Sequence, residues 1–207
     1  MKTPELQRYR DAERMNHWLV VLLFALAALS GLAFFHPSLY FLSAALGGGV
    51  WARILHPFIG AAMFCSFLGL FVRLWRENVV NAADREWLRR SPVLLQGDKA
   101  VMPPVGKYNA GQKVVFWLLA ACLLTLFVTG VMFWQPWFAN AFPIALRRVA
   151  VLLHAVAAVG LILTVIVHVY AAIWVKGTLR AMTRGTVSAT WARQNHAQWY
   201  QETTRKP

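Results

Sequence analysis

The sequence predicts an all-α membrane protein, a four-helix transmembrane bundle with both termini in the cytoplasm. Four long apolar stretches, positive charge on one side of them, and histidines inside them lead to this prediction. The chain has 207 residues, is 58% hydrophobic and contains ten Trp and thirteen Phe. A soluble domain of this length does not need so much apolar surface, so we expect one integral membrane domain.

Each apolar stretch is long enough to cross a bilayer, which takes about 20 helical residues. We expect the four spans at about 17–36, 51–73, 113–134 and 148–175. An inner loop at 74–112 is mixed in charge and punctuated by Pro and Gly, with a short helix expected near 84–90. The tail at 176–207 is polar, and its Trp and Tyr residues suit docking onto something cytoplasmic.

The basic residues predict the orientation of the chain. The net charge is +13, and 18 of the 21 Lys and Arg residues lie before His17, from Arg73 to Lys113, or from Lys176 onward, on the side of the termini. Only Arg53, Arg147 and Arg148 lie in the two outer connections. Since positively charged segments stay on the cytoplasmic side of a membrane, the orientation of the chain in the bilayer accounts for the positive net charge. Nucleic acid is therefore excluded as a partner. We expect membrane lipid as a partner of the four spans.

Four histidines at the spans pair by depth. An ionisable side chain inside a membrane is costly, so a functional role is the default hypothesis. His154 and His168 are fourteen residues apart, which puts them on one helix face with about 21 Å between their levels. His56 shares the outer level with His154, and His17 shares the inner level with His168. The sequence therefore predicts two histidine pairs, one near each membrane face.

Two imidazoles that face each other inside a helix bundle can hold haem iron from both sides of the macrocycle. Gly60, four residues after His56, gives a porphyrin room beside the helix. Arg10, Arg14 and Arg53 lie near the two levels and suit haem propionates. No Cys-x-x-Cys-His motif for covalent attachment occurs. The pattern predicts two non-covalent b-type haems.

Other interpretations remain open for these residues. A single membrane histidine often has only a packing role, and zinc is less suited because no Cys or carboxylate completes a four-ligand set. His36 and His196 fit neither level. Ordinary helix packing also explains the glycines of the spans, Gly31, Gly60, Gly69 and Gly130.

Eight motifs follow one another along nearly the whole chain: "RMNHW", "ALSGLAFFHP", "RILHPFIG", "GKYNAGQK", "VTGVMFW", "LLHA", "HVYAAIWVKGT" and "WA…WY". Together they resemble the cytochrome b (gamma) subunit of membrane-bound respiratory formate dehydrogenase. "RILHPF" and "KYNAGQK" in combination are specific. The cytochrome b subunits of nickel–iron hydrogenases are similar more distantly.

The resemblance implies that 1–207 is a single di-haem cytochrome b membrane domain, multi-pass in the bacterial inner membrane. It implies axial haem iron ligands that agree with the pairing by depth, namely His56 and His154 for the outer haem and His17 and His168 for the inner one. It also implies a site for menaquinone or ubiquinone beside the inner haem, formed by Asn109, Gly111, Gln112 and His168. Capping of the third span is the other role open to Asn109, and the two roles are compatible.

The function implied by the resemblance is electron transfer from periplasmic partners across the membrane to quinone at the cytoplasmic side. The partners are an iron–sulfur subunit and a molybdenum- or tungsten-pterin catalytic subunit, in a heterotrimer or a higher oligomer of it. The chain is then the quinone-reducing subunit of an oxidoreductase in anaerobic respiration, without a formate site of its own. The alternatives are a cytochrome b of a nickel–iron hydrogenase or another periplasmic oxidoreductase, a haem-free membrane anchor, and a proton-coupled transporter.

Overall fold

The computed structural model describes residues 4–95 and 102–205. The predicted single domain, inner loop and tail also include residues 1–3, 96–101 and 206–207, which lie outside the described residues. The described elements are, in chain order, β1 (Glu5–Gln7), α1 (Asp11–Phe35), α2 (Gly49–Leu74), α3 (Ala82–Leu95), α4 (Ala110–Phe133), α5 (Ile144–Trp174), α6 (Thr178–Arg184), β2 (Thr186–Ser188), α7 (Ala189–Asn195) and α8 (Ala197–Thr204). Short 3-10 helices cover Pro37–Leu46, Trp75–Asn78 and Ala139–Ala141.

Four of the described helices, α1, α2, α4 and α5, are long and apolar enough to cross a membrane, which confirms the predicted fold class. They contain 24 to 31 residues. At about 1.5 Å per residue each exceeds the roughly 30 Å of hydrocarbon in a bilayer. Large apolar side chains are exposed along all four, among them Leu22, Phe58, Leu124 and Leu163. Such a surface is stable against lipid and unfavourable in water.

Helices α1 and α3 begin earlier than the sequence predicts, and a carboxylate caps the start of each. α1 begins at Asp11, where the carboxylate of Glu13 accepts a hydrogen bond from the Arg10 amide at 2.8 Å. In α3, Asn81 and Asp84 each accept a hydrogen bond from the other's amide, at 3.0 and 2.8 Å. These caps satisfy amides that have no partner inside the helix. The inner loop thus carries a helix of 14 residues rather than a short one.

The chain divides into two compact units. The first, here the bundle unit, consists of Met15–Val72 and Leu118–Val167. Its buried core is Ala27, Met63, Phe67, Leu123 and Leu161. The rings of Phe64 and Phe127 stack with centroids 4.3 Å apart. Apolar packing between helices therefore holds this unit together.

The second unit, here the terminal unit, consists of Met1–Arg14, Arg73–Trp117 and His168–Pro207. β1 and β2 pair antiparallel within it, with Leu6 opposite Val187. Gly185 precedes β2 with φ +78°, a conformation that side chains disfavour, and a Cβ there would lie 2.8 Å from the Tyr9 carbonyl oxygen. The Gly185 carbonyl accepts hydrogen bonds from the amides of Arg8 and Tyr9. Strand pairing and these hydrogen bonds thus join a segment near the N-terminus to a segment in the tail.

A buried arginine organises the core of the terminal unit. Arg8 is only 5% exposed, and four aromatic rings surround its guanidinium at 5.0–5.9 Å from their centroids, those of Tyr9, Tyr108, Trp191 and Trp199. Arg8 Nη2 donates to the Lys107 carbonyl at 2.5 Å and to Nε2 of His196 at 3.3 Å. The tryptophans of the tail therefore pack within the chain itself. Cation–π contacts and hydrogen bonds compensate the buried charge.

His196 fastens the tail to the segment that precedes α4. Its Nδ1–H donates to the Gly106 carbonyl at 2.8 Å, so Nε2 is the acceptor for Arg8. Burial, and secondarily the charge of Arg8, lower the pKa of His196 from 6.5 to about 4. The amides of Gln198 and Trp199 donate to the Val105 carbonyl at 3.2 and 3.4 Å. Attachment of the tail thus depends on a neutral imidazole.

Acidification is expected to loosen α8. Because the pKa of His196 is lower in the docked tail than in an undocked one, the undocked tail binds an extra proton between about pH 6.5 and 4. Docking is therefore complete above about pH 6.5 and weakens as the pH falls towards 4. Hydrogen–deuterium exchange at the amides of Gln198 and Trp199, corrected for intrinsic exchange, measures this loss.

Two variants serve as controls. His196→Gln removes the titration, so protection of α8 should lose its pH dependence between about pH 6.5 and 4. His36→Gln changes an exposed histidine and should keep the pH dependence of the unmodified chain. The same pH dependence in His196→Gln and in the unmodified chain would contradict the role of His196.

Candidate functional site

His56 and His154 face each other inside the bundle unit. His56 belongs to α2 and His154 to α5, and both are partly buried. The centroids of their rings lie 6.4 Å apart, with 62° between the ring planes. The structure therefore brings together the two histidines of the predicted outer level.

A hydroxyl group on a neighbouring helix holds Nδ1 of each ring. Ser30 Oγ on α1 lies 2.8 Å from His56 Nδ1, and Thr129 Oγ1 on α4 lies 3.0 Å from His154 Nδ1. Each hydroxyl donates its only proton to the carbonyl four residues earlier in its own helix, at 2.8 and 2.6 Å. With these protons on the backbone, the hydroxyl oxygens are placed to accept from Nδ1–H. In this tautomer both imidazoles keep Nε2 unprotonated, as a metal ligand requires.

The two hydroxyls belong to a repeated pattern. α1 contains "SGLAF" and α4 contains "TGVMF". A Cβ on Gly31 or Gly130 would lie 3.4 Å from Cε1 of the neighbouring histidine, so glycine lets each helix approach the ring closely. Phe34 and Phe133 meet the same rings edge-on, with centroids 5.8 and 5.2 Å apart. Sequence reasoning missed Ser30 and Thr129, and this repeat is the signal that could have found them.

The pair fits a haem iron held from both faces. Two metal–nitrogen bonds of about 2 Å, with about 1.1 Å from each nitrogen to its ring centre, separate the centroids by roughly 6 Å. The observed 6.4 Å is close to this value. Outside the local helix backbone, no atom of the described residues comes within 4 Å of a Cβ built on Gly60, which leaves room for a porphyrin. Two ligands suffice because the macrocycle supplies the other four.

The histidines of the predicted inner level lie on α1 and α5. His17 is partly buried, and its ring contacts Trp18 edge-on with centroids 5.5 Å apart. His168 is exposed in the described residues. His17 belongs to the bundle unit and His168 to the terminal unit, and their pairing stays a prediction. Arg14, suggested for a propionate, donates to the carbonyls of Met182 and Thr183.

The predicted quinone residues Asn109 and Gln112 form a reciprocal cap at the start of α4. Asn109 Oδ1 accepts from the Gln112 amide at 2.9 Å, and Gln112 Oε1 accepts from the Asn109 amide at 3.0 Å. A Cβ on Gly111 would meet the Trp87 ring at 3.4 Å. The cap uses the side-chain oxygens and leaves the two NH2 groups, which are hydrogen-bond donors, for another partner.

The two histidines outside the predicted levels have structural roles. His36 Nδ1 accepts from the Ser38 amide at 3.2 Å, which caps the 3-10 helix that follows α1. His196 fastens the tail, as described above. Among the described residues, no group of three or more His, Cys, Asp or Glu side chains is arranged to hold a metal ion.

Membrane helices that carry a facing histidine pair with two available Nε2 atoms define a membrane cytochrome. A family model described as prokaryotic cytochrome b561 matches residues 8–185. The chain belongs to this family, and the family implies haem b.

The relatives narrow this class further. The chain is 45% identical to the cytochrome b556(fdo) subunit of formate dehydrogenase from Escherichia coli (strain K12) over 195 residues, 94% of this chain and 92% of the relative. It is 41% identical to the nitrate-inducible cytochrome b556(Fdn) subunit from the same strain, covering 97% and 93%. A formate dehydrogenase cytochrome b556 subunit from Haemophilus influenzae is 38% identical, covering 94% and 82%. The resemblance found in the sequence is confirmed.

Removal of either hydroxyl is expected to weaken haem binding at the outer pair. In Ser30→Ala and Thr129→Val the imidazole loses the acceptor that fixes its tautomer and orientation, which costs about tenfold in affinity. The change also shifts the reduction potential of that haem. Redox titration of the purified protein, with the haem content per chain, measures both effects.

Thr125→Val is the matched control for this test. Thr125 lies one turn from Thr129 on α4, and its hydroxyl donates only to the Ala121 carbonyl. Haem content and potential should stay those of the unmodified protein. If Thr125→Val and Thr129→Val behave alike, the hydroxyl contact to His154 does not tune the site.

Proposed function

We propose that the chain is the membrane cytochrome b subunit of a respiratory formate dehydrogenase. In this proposal it holds two haem b groups and transfers electrons to quinone. The observation that carries the proposal is the facing pair His56 and His154, whose Nε2 atoms are free to bind iron. Haem b supplies an iron that takes up and releases one electron at a time. The similarity to formate dehydrogenase cytochrome subunits supports the rest of the assignment.

Two pairs of residues hold the haems in this proposal. His56 and His154 are the ligands of the outer haem, and His17 and His168 are those of the inner one. The depth of each histidine in its span and the family resemblance support the inner pair. Fourteen residues along α5 give about 21 Å between the two levels, which bridges much of the hydrocarbon.

The quinone site is proposed at the start of α4, with Asn109, Gly111, Gln112 and His168. A quinone carbonyl accepts hydrogen bonds, and the cap leaves amide NH2 groups as donors. Gly111 lets Asn109 Oδ1 and the Trp87 ring approach the helix start closely, since a Cβ there would lie 3.4 Å from each. The same residues thus start the helix and bind the quinone head, either menaquinone or ubiquinone.

The setting follows from the relatives and the charge distribution. We propose a bacterial inner-membrane location with cytoplasmic termini, because 18 of 21 basic residues lie on the side of the termini. The partners are an iron–sulfur subunit and a molybdenum- or tungsten-pterin catalytic subunit. Formate is oxidised by the partners, and this chain completes the reaction by reducing quinone.

Histidine replacement tests the two-haem assignment. His56→Ala or His154→Ala is expected to lower the haem content from two to one per chain and to remove the outer haem. His17→Ala or His168→Ala removes the inner haem and abolishes quinone reduction. Pyridine haemochrome quantification against protein, with reduced-minus-oxidised spectra, measures the content of each variant.

His36→Ala is the matched control, since this exposed histidine caps a 3-10 helix and should leave both haems in place. No haem in the correctly assembled unmodified chain would favour a haem-free anchor. If the purified complex is reduced by hydrogen and not by formate, the chain would instead be a hydrogenase cytochrome.

A single charge-changing variant separates the cap from the quinone site. Gln112→Glu keeps an oxygen to accept from the Asn109 amide, so α4 starts as before. It replaces the NH2 donor by a carboxylate oxygen that repels a quinone carbonyl. Quinone reduction should fall by about tenfold or more, since one donor to a developing charge contributes on this scale. The turnover with formate and a quinone analogue measures it.

Haem content and thermal stability are the two control measurements for this test. Haem content and thermal stability should be unchanged in Gln112→Glu, whereas Gln112→Ala should lose stability as well because the cap is broken. Full quinone reduction by Gln112→Glu would remove this side chain from the proposed site.

A further inference from the structure

A polar cavity of about 100 Å³ lies within the terminal unit. One water needs roughly 10–15 Å³ on the same measure, so several fit. The cavity lies among the 3-10 helix Trp75–Asn78, the start of α3, the segment 103–108 and the first turn of α4. Its polar lining is Glu77, Asn81, Asp84, Lys107, Tyr108, Lys113 and Gln198. A cavity with this lining holds water rather than apolar ligand.

The lining changes from exposed to buried along the cavity. Glu77 is 42% exposed and forms an ion pair with Lys107 at 2.8 Å. Asp84 and Lys113 are 6% and 8% exposed, and they form a buried ion pair at 2.7 Å. The cavity thus leads from a carboxylate in contact with solvent to an ion pair in the interior.

Tyr108 belongs to the cavity wall. Its hydroxyl oxygen is buried, interacts with the side chain of Tyr9 and has no fully formed hydrogen bond within the described part of the chain. A buried hydroxyl that is not fully hydrogen-bonded is costly, and water in the cavity would satisfy it. Burial, and then its neighbour Tyr9, raise the pKa of Tyr108 well above its usual range. The group therefore stays a phenol, which both donates and accepts a hydrogen bond.

The buried end of the cavity adjoins the amide cap of α4. Lys113 directly follows Gln112, and its Nζ also donates to the Val79 carbonyl at 3.1 Å. Tyr108 directly precedes Asn109. The cavity wall and the proposed quinone residues are therefore consecutive in the chain.

We infer that this cavity is a water-filled proton-uptake site for quinone reduction. The inference rests on the proposed function. Reduction of one quinone takes two electrons and two protons, and its two carbonyl oxygens become hydroxyls. The electrons come from formate through the complex, and the protons come from bulk water. Glu77 takes up each proton, cavity water and the Tyr108 hydroxyl pass it on, and the ion pair of Asp84 and Lys113 orders the water.

The experiment uses the intact complex and follows electrons separately from protons. Formate first reduces the haem, and the rate of this step is recorded in a stopped-flow spectrometer. Decylubiquinone or menadione is then added in H2O and in D2O, and the rate of haem reoxidation is recorded. The variants are Tyr108→Phe, which removes only the hydroxyl, and Glu77→Gln, which removes the titratable group together with the ion pair to Lys107. Tyr200→Phe is the matched control, because Tyr200 packs on the same core of the terminal unit but does not line the cavity.

Both variants should reduce haem with formate at the unmodified rate. Reoxidation by quinone should slow by about tenfold, less than the 10²–10⁴-fold typical of a lost proton donor because water remains in the cavity. The ratio of rates in H2O and D2O should rise. Tyr200→Phe should match the unmodified complex in every step. Glu77→Gln carries the test alone if Tyr108→Phe does not assemble, since Glu77 is exposed.

Two results would overturn the inference while leaving the proposed function intact. Reoxidation at the unmodified rate in Tyr108→Phe and Glu77→Gln would exclude the cavity from proton uptake. An equal slowing in Tyr200→Phe would assign the effect to packing in the core of the terminal unit. If the unmodified complex contains haem that quinone does not reoxidise, the proposed function itself is wrong, and the inference falls with it.

Discussion

The hydrogen bond between a helix hydroxyl and Nδ1 of a membrane histidine is the contact on which the site depends. An imidazole in an apolar bundle must satisfy its N–H and still present an unprotonated nitrogen. Ser30 and Thr129 do this because their own protons go to the helix backbone. With its own proton on the backbone, the hydroxyl accepts from Nδ1–H, and this contact favours one tautomer. That tautomer leaves Nε2 of His56 and His154 unprotonated for a metal.

This requirement explains why helices α1 and α4 share a pattern. A hydroxyl, a glycine and a phenylalanine within five residues hold one side of each ring: the first fixes the nitrogen, the second allows close approach, and the third packs against the edge. The histidines themselves come from α2 and α5. Two helices thus supply ligand candidates and two orient them. The tolerance is small, since a Cβ at either glycine would lie 3.4 Å from the ring.

Much of the membrane part could be predicted, and much of the terminal unit could not. The four apolar helices follow from hydropathy, and the meeting of His56 with His154 follows from their depth. Neither rule predicts the burial of Arg8, because three of the four aromatic rings around this charged residue come from positions distant in sequence. Ser30 and Thr129 were missed since a hydroxyl in an apolar helix is most often bonded only to its own backbone.

The residues at the start of α4 suit the proposed quinone site better than a helix cap alone requires. A helix start is capped well by Ser, Thr or Asp with Glu three residues later. Asn109 and Gln112 make the same two hydrogen bonds through their oxygens, so the cap alone does not require amides. What the amides add is a pair of NH2 donors, which Ser or Glu lacks. Next to them the chain buries an ion pair and the phenol of Tyr108, which interacts with Tyr9. A cap built only for folding needs none of these groups, whereas a site that binds a carbonyl and takes up protons needs all of them.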